Sequence, residues 1–438
     1  MRVNNVSSLI ISSIKRGVVE QLSNIKREDF HGASIQTVEK NFFKTIGKAG
    51  AGGLAELFLQ NDVNQKSIVY NDEKHYLKFR STGKYLTLLG EISLKRGIYQ
   101  SNTSSKSLCP LEDKLKFIND YVSFAAAEYI CYSLASMTPQ EFSKHCTKWS
   151  LMRPSASTIT RVVNYVGNFL ETSSFYDTIR TEGAIPKEAA ILAISMDATS
   201  VLIKKEGWRH AAVATISTYN VKGDRLDTIY IGRMPEKNKI KIKKLLEKEV
   251  ESILSKQKFK QIVCIADGAR ENWIYFRKKY PNAIHITDFY HVAEHLAKLS
   301  ELLFNNYSES KGWYKKYKSI LKDDPNGAAK TIRAVRYRRS IVKKNPEIEK
   351  EIKYLQQNQR RMSYFEYKQK NLPIGSGVVE AACKNLIGAR LKKSGMSWSK
   401  EGGQNVLNLR ALILSNRWER FWNYFLQSHF PKLLRNIR

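Results

Sequence analysis

Four acidic residues sit in surroundings that give them little reason to be charged. Asp197 interrupts the aliphatic run ILAISMDATSVLI, Asp267 follows QIVCIA, Asp288 follows AIHIT, and Glu380 lies in PIGSGVVEAACK. A carboxylate in an apolar strand is costly unless a cation or a metal meets it. Carboxylates that converge from separate elements suit hard ions such as Mg²⁺ or Mn²⁺. Two such ions about 3.5–4 Å apart activate a nucleophile and stabilise both oxygens of a phosphodiester under attack. On this expectation Asp197 bridges both ions, Asp267 holds one and Glu380 the other. Asp288 and His291 are expected to assist metal or leaving-group chemistry. Each acid also has a plainer role open to it: Asp267 ending a strand, Asp288 capping a helix, Glu380 meeting a helix dipole behind an N-cap Ser376. A zinc site from Asp288, His291 and His295 finds no cysteine or further histidine nearby in sequence to complete it.

The elements that must position these acids are short β-branched and aliphatic runs. ILAISMDATSVLI, WRHAAVATISTYN and RLDTIYIGRM are separated only by Lys204-Lys205-Glu206-Gly207 and Asn220-Val221-Lys222-Gly223-Asp224. Such turns favour antiparallel neighbours. KIKKLLEKEVESIL then reads as a helix, and QIVCIADGA and AIHITDFYH as two more strands. A strand reached through a helix is a parallel crossover. The expectation is an α/β fold with a mixed five-stranded sheet in RNase H-like order. Asp197 would lie inside the first strand and Asp267 at the carboxyl end of the fourth, beside it. Ligands of open α/β sheets bind at that end.

The 438 residues carry 73 Lys and Arg against 41 Asp and Glu, a formal net charge of +32. That excess points to a polyanion: DNA, RNA or an anionic membrane. No run approaches the roughly 18 apolar residues of a membrane span, so nucleic acid and a cytoplasmic location are expected. The opening MRVNNVSSLIISSIKRG is too short and polar in its apolar patch for a secretory signal. Five cysteines, none in a C-x-x-C pair, are expected to be reduced structural thiols.

The chain divides on composition into six stretches. Residues 1–66 are expected to be helical and mixed, with a glycine-rich break at 47–53 that is either a hinge or a tight helix–helix crossing. Residues 67–112 form a small β region, with turns expected at Thr82-Gly83 and Leu89-Gly90. Residues 113–175 are helical and resemble a helix-turn-helix unit, with a capping box at Thr138 and Thr158, Thr160, Arg161 and Asn164 as exposed base readers. Residues 190–290 carry the sheet, 291–370 a helical insertion, and 371–438 the completion of the core, whose last helices pack back on the sheet. From Lys311 to Met362 there are 16 Lys and Arg against 5 acids, net +11, interleaved with aromatics. Arg338 and Arg339 there, and Lys384, Arg390, Lys392 and Lys393 beyond Glu380, are expected to contact DNA phosphates. A solvated face with its aromatics in the core is the blander expectation for the insertion.

SMDATSV, VCIADGARENW, DFYHVAEHL and above all PIGSGVVEAACKNLIGARLKKSGMSWS resemble the DDE transposases of bacterial insertion sequences, in the branch related to Mutator-type elements. The resemblance spans about residues 190–425. It implies an RNase H-like core with a helical insertion before the last carboxylate. It implies Asp197, Asp267 and Glu380 as catalytic triad and metal ligands, with Asp288 and His291 as a D-x-x-H signature. It further implies binding of terminal inverted repeats and target DNA, assembly as a homo-oligomer on DNA, and a place on the bacterial nucleoid. Relatives often carry paired cysteines near the N-terminal β segment, and this chain has none there. Two other functions compete: a DNA-binding protein without catalysis, and an RNase H-like nuclease that cuts without joining.

Overall fold

The structure, a computed structural model, describes residues 33–103, 106–182, 185–341 and 345–430, with scattered positions before residue 24. The chain forms two compact units, Met1–Thr172 with Trp422–Arg438, and Ser173–Phe421.

In the first unit, helix α1 (Ala33–Leu59) runs unbroken through the expected glycine-rich break. A Cβ on Gly47 would lie 2.3 Å from Leu151 Cδ1, so the glycine permits a close crossing. That packing outweighs the roughly 1 kcal/mol each helical glycine costs. Strands β1 (Ser67–Tyr70), β2 (Glu73–Thr87), β3 (Gly90–Ser101) and β4 (Ser107–Leu108) form an antiparallel meander in that order. The β2–β3 turn falls at Leu88-Leu89, next to the expected Leu89-Gly90. The expected turn at Thr82-Gly83 does not exist: Gly83 pairs with Leu94 in mid-strand.

The start of the expected helical stretch is broken into two helices, α2 (Pro110–Leu115) and α3 (Phe124–Leu134). Between them Lys116, Asn119 and Asp120 take left-handed φ of 51°, 50° and 56°, which end the first helix. Helix α4 (Pro139–Trp149) begins with the expected Thr138–Glu141 capping box. A turn follows, in which Arg153 donates to the Cys146 carbonyl at 2.6 Å. Helix α5 (Ala156–Thr172) then starts at Ser155, whose hydroxyl accepts from the Thr158 amide at 3.1 Å.

Thr158 is not an exposed base reader. It is 7% exposed and its hydroxyl bonds Ser155. It shares the buried stripe of Val162, Val166 and Leu170, four residues apart. Thr160 and Arg161 are exposed and Asn164 is half-buried.

The second unit opens with α6 (Phe175–Glu182). Strands β5 (Ile191–Ile203), β6 (Gly207–Tyr219) and β7 (Arg225–Arg233) are antiparallel neighbours. Helix α7 (Ile240–Lys256) leads to β8 (Gln261–Ala266), and α8 (Arg270–Lys279) to β9 (Ile284–Thr287). The expected five-stranded mixed sheet forms, in the order β7-β6-β5-β8-β9. Both β5–β8 and β8–β9 are parallel. Alternation puts Leu192, Ile194, Met196, Cys264 and Ala266 against α7 and α8. Ile191, Ala193, Val263, Ile265 and Ile286 pack on the other face against helices that follow β9.

Those helices are α9 (Phe289–Leu303), α10 (Tyr307–Asp323), α11 (Gly327–Ile341), α12 (Pro346–Asn358) and α13 (Tyr364–Gln369). Most of their aromatics are core rather than stacking platforms. Trp313, Tyr314, Tyr317 and Tyr354 pack on the cluster and Tyr364 and Tyr367 are buried in it, while Tyr337 is exposed. Arg338 and Arg339 do not stand free for phosphates. Arg338 donates to the Leu303 carbonyl at 3.3 Å with its guanidinium over Phe304, and Arg339 pairs with Glu349.

Helix α14 (Gly377–Ala382) runs on through a π-turn, Cys383–Gly388, to Ala389–Leu391. Buried Arg410, on α15 (Lys400–Leu414), donates to the Leu386 carbonyl at 2.9 Å and to that of Asn385, satisfying oxygens within the π-turn. Gln404 docks α15 on β7: its Oε1 accepts from the Met234 amide at 2.9 Å and its Nε2 donates to the Gly232 carbonyl at 3.0 Å. The expectation that the last helices cover the sheet holds for α15 and fails for the end of α16 (Trp418–His429), which from Trp422 belongs to the first unit. Its Phe425 meets Phe124 and Phe169 with ring centroids 5.5 and 4.9 Å apart.

Candidate functional site

Period-two alternation aims the three aspartates. Asp197 continues the series Ile191, Ala193, Ser195; Asp267 continues Val263, Ile265; Asp288 continues Ile286. All three therefore fall on the sheet face that α9–α13 cover. The β5–β8 ladder ends at Ser195 and Ile265, so Asp197 and Asp267 each stand two residues beyond the last pair. Strand β5 continues past that point bonded only to β6 as a full ladder, and the sheet opens on its β8 side. The Asp288 amide donates to the Ala266 carbonyl at 2.9 Å, placing it next to Asp267 in the chain of β8.

A cavity of about 540 Å³ occupies this opening. Asp197, Thr199, His291, Glu380, Lys384 and Lys392 line it, with Cys383 beside them. Positions 380, 384 and 388 contribute from one continuous helical run, and Lys392 from the residue just past its end. Lys392 Nζ donates to Thr199 Oγ1 across the cleft. Asp267 is not among the lining residues; its Oδ1 accepts from the Ala269 amide at 3.1 Å and from Asn272 Nδ2 at 3.3 Å.

Glu380 meets Asp288 rather than Asp267. Fully buried Asp288 accepts from the Tyr290 amide at 2.7 Å, capping α9, and from His291 Nδ1 at 2.9 Å. Ser376 bridges the two acids: its hydroxyl meets Asp288 Oδ2 and lies 3.2 Å from Glu380 Oε1. Ser376 holds the expected N-cap position, but its hydroxyl makes no cap hydrogen bond and serves the carboxylates instead. His291 Nδ1 is also 3.6 Å from Glu380 Oε1. The ligand atoms of Asp288, His291 and Glu380 lie within 4.8 Å of one another, a group that can hold a metal ion. The alternative with His295 does not form: that ring stacks on Tyr354 at 3.6 Å and pairs with Glu351.

The electrostatics follow from this crowding. Burial raises the Glu380 carboxyl above its ordinary range, and the Asp288 charge adds to it. Burial also opposes ionisation of Asp288, but hydrogen bonds from His291, Ser376 and the Tyr290 amide outweigh it and hold its carboxyl low. The hydrogen bond to Asp288 pushes His291 up from 6.5 to about 9. Stability from the His291 charge is therefore complete below about pH 6.5 and is lost as pH rises through about 9. In metal-free buffer the urea midpoint should fall over that window, and His291→Gln should remove the fall. A wild-type midpoint flat from pH 6.5 to 9.5 would contradict the pairing.

Other expected residues fare differently. Lys384 is exposed at the cleft and Lys393 is half-buried. Arg390 is no phosphate clamp: it is 1% exposed, with its guanidinium over the Trp398 ring and Nη1 at 3.7 Å from Met396 Sδ.

Two neighbours of the acids escaped the sequence. Cys383 donates its thiol to Asp197 Oδ2 at 3.4 Å, and burial together with the Asp197 charge pushes that thiol well up. Its place one turn after Glu380 was a usable signal. Tyr354, on α12, offered none. A Cβ on Gly268, where φ is +99°, would lie 2.6 Å from the Tyr354 ring. Burial first, then the charges of Asp267 and Asp288, push the phenol up. Gly268→Ala should cost about 1–3 kcal/mol from the left-handed backbone and the clash. A double-mutant cycle with Tyr354→Ala should recover part of that cost; strict additivity would show that the ring does not confine the Asp267 loop.

Among the described residues, no helix is long and apolar enough to cross a membrane. All five cysteines are buried free thiols. The chain matches no protein-family model and no curated protein sequence.

Proposed function

We propose that this chain is a DDE-type transposase, an RNase H-like enzyme that cuts DNA at element ends and joins those ends to target DNA. The observation that carries the reading is the single cleft that Asp197 and Glu380 line together, with Lys384 and Lys392 facing it. The net charge of +32 and the resemblance of the surrounding motifs support the same reading.

In this reading Asp197 and Glu380 hold Mg²⁺ or Mn²⁺ from the walls of the cleft, and Asp267, which does not line it, joins them only as the resemblance implies. The donor chemistry fits: the cleft presents carboxylate oxygens, and Asp197 Oδ2 faces only a weak thiol donor at 3.4 Å. Bound metal supplies nucleophile activation and charge neutralisation at the phosphate. Lys384 and Lys392 draw the DNA backbone into the cleft by charge-assisted hydrogen bonds. His291, charged at neutral pH, faces the cleft as a proton donor, and Asp288 keeps it charged. Water attacks first and frees a 3′-hydroxyl, which then attacks target DNA at the same site. Helices α4 and α5 read the terminal repeats through Thr160, Arg161 and Asn164, in a homo-oligomer assembled on the DNA.

The test is a strand-transfer assay with the full chain, labelled element-end DNA, a target plasmid and Mg²⁺. Joined product is expected, dependent on the metal. Cut ends without joining would make the protein a nuclease. Tight binding with neither product would make it a DNA-binding protein that does not cut.

A further inference from the structure

A second, smaller cavity of about 40 Å³ lies among α6, β6, β7 and α7 and shares no lining residue with the carboxylate cleft. Its polar walls are Arg180, Thr218, Asp227, Glu249, Ser252, Lys256 and Arg417, with Ser252 donating to the Arg180 carbonyl. Arg180 is only 6% exposed. Its Nη1 donates to Asp177 at 2.7 Å. Its Nε is 3.2 Å from Glu249 Oε1 but makes no aligned hydrogen bond, and its Nη2 has no partner among the described residues. Thr218 Oγ1 is likewise buried and unpartnered. Glu249 does not reach Nη2 or Thr218: its oxygens meet Arg417 at 2.9 and 3.0 Å, and its ion pair with Arg180 runs through Nε alone.

The unmet groups on the guanidinium are donors, and leaving buried donors unmade is costly. Three cations and two acids line the cavity, and Asp177 on Arg180 Nη1 offsets the third cation, so it is the unmet directed donors rather than net charge that call for an acceptor. What completes it is an acceptor-rich anion. At about 10–15 Å³ of such volume per water, the space matches roughly three water positions, the size of one tetrahedral oxyanion and too small for a nucleoside. We propose that this cavity binds a free tetrahedral oxyanion of the phosphate and sulfate class. Arg180 Nε and Nη2 and the Thr218 hydroxyl hold it, in the field of Arg417 and Lys256. The bound ion ties α6 to the sheet and to α7. Nothing in this depends on the activity of the carboxylate cleft.

The test is thermal unfolding of the full chain in sodium phosphate against sodium chloride at equal ionic strength. Phosphate should give a saturable rise of about 3 °C over chloride. Arg180→Gln should abolish the rise, Thr218→Val should move its midpoint to about tenfold higher phosphate, and Lys384→Gln, in the other cleft, should leave it intact. An equal rise in chloride, or a rise that survives both Arg180→Gln and Thr218→Val, would overturn the site. Should Arg180→Gln not fold, Thr218→Val decides alone. Adenosine monophosphate should give no rise; one as large as that from phosphate would overturn the assignment to a free ion.

Discussion

Asp197→Asn should lower DNA cleavage by at least about 10²–10³-fold, the scale seen when one charge-stabilising group is removed from a site. The substitution keeps the shape, and its amide oxygen can still accept from the Ala198 amide, as Asp197 Oδ1 does at 2.7 Å. What it removes is the charge on a residue that lines the cleft. A neutral amide is a poor ligand for a hard divalent ion. DNA affinity should stay level or rise slightly, because one repulsion against the phosphates is gone. Cleavage of labelled DNA and anisotropy binding at fixed salt separate the two effects. Full cleavage by the variant would remove Asp197 from the chemistry and, with it, the triad.

Glu249→Ala should strongly destabilise the Ser173–Phe421 unit, costing about 3–5 kcal/mol. Glu249 is 2% exposed and joins α7 to Arg417 and Arg180. Its loss strands two guanidiniums, one 6% and one 13% exposed at the side chain, without their shared counter-charge. Urea unfolding followed by near-ultraviolet circular dichroism measures it. Glu249→Gln should cost less, since it retains one acceptor. A loss below about 1 kcal/mol for Glu249→Ala would show that water takes over the carboxylate's role.

The contrast between these two sites shows what a sequence exposes. The sheet order was legible because each strand is a short β-branched run and the connections are either turn-length or helix-length. The three aspartates were legible as a set, since Asp197 interrupts an apolar strand and Asp267 and Asp288 each follow one. Their common face was legible too, by counting in twos from Ile191, Val263 and Ile286. Thr158 shows the same kind of arithmetic left undone: counting in fours puts it with Val162, Val166 and Leu170, inside.

Other features depend on partners that counting does not reach. Arg390 is buried because Trp398 folds back over it. Arg339 is occupied because Glu349 lies on the next helix. Ser376 faces Asp288, 88 positions earlier, so its hydroxyl bonds a carboxylate rather than capping a helix. In the helix through 47–53, Leu151 packs where a Gly47 side chain would stand and Leu89 where a Gly50 side chain would, while Gly52 faces open space. Glu249 looked like one acid among many in a charged helix; only the long-range arrival of Arg417 and Arg180 makes it a keystone.

The return of Trp422–His429 to the first unit has a consequence for how this protein is made. The rings of Phe124 and Phe169 leave the ribosome early, whereas Phe425, which packs on both, leaves some 250 residues after Thr172. At roughly 5–20 residues per second, the first unit waits on the order of ten to fifty seconds for the last piece of its core. The usual order of domain completion is thereby inverted. The sheet-bearing unit has all of its strands in hand while the unit begun first is still unfinished, and any nascent chain halted before Trp422 leaves that earlier unit with an open apolar seam.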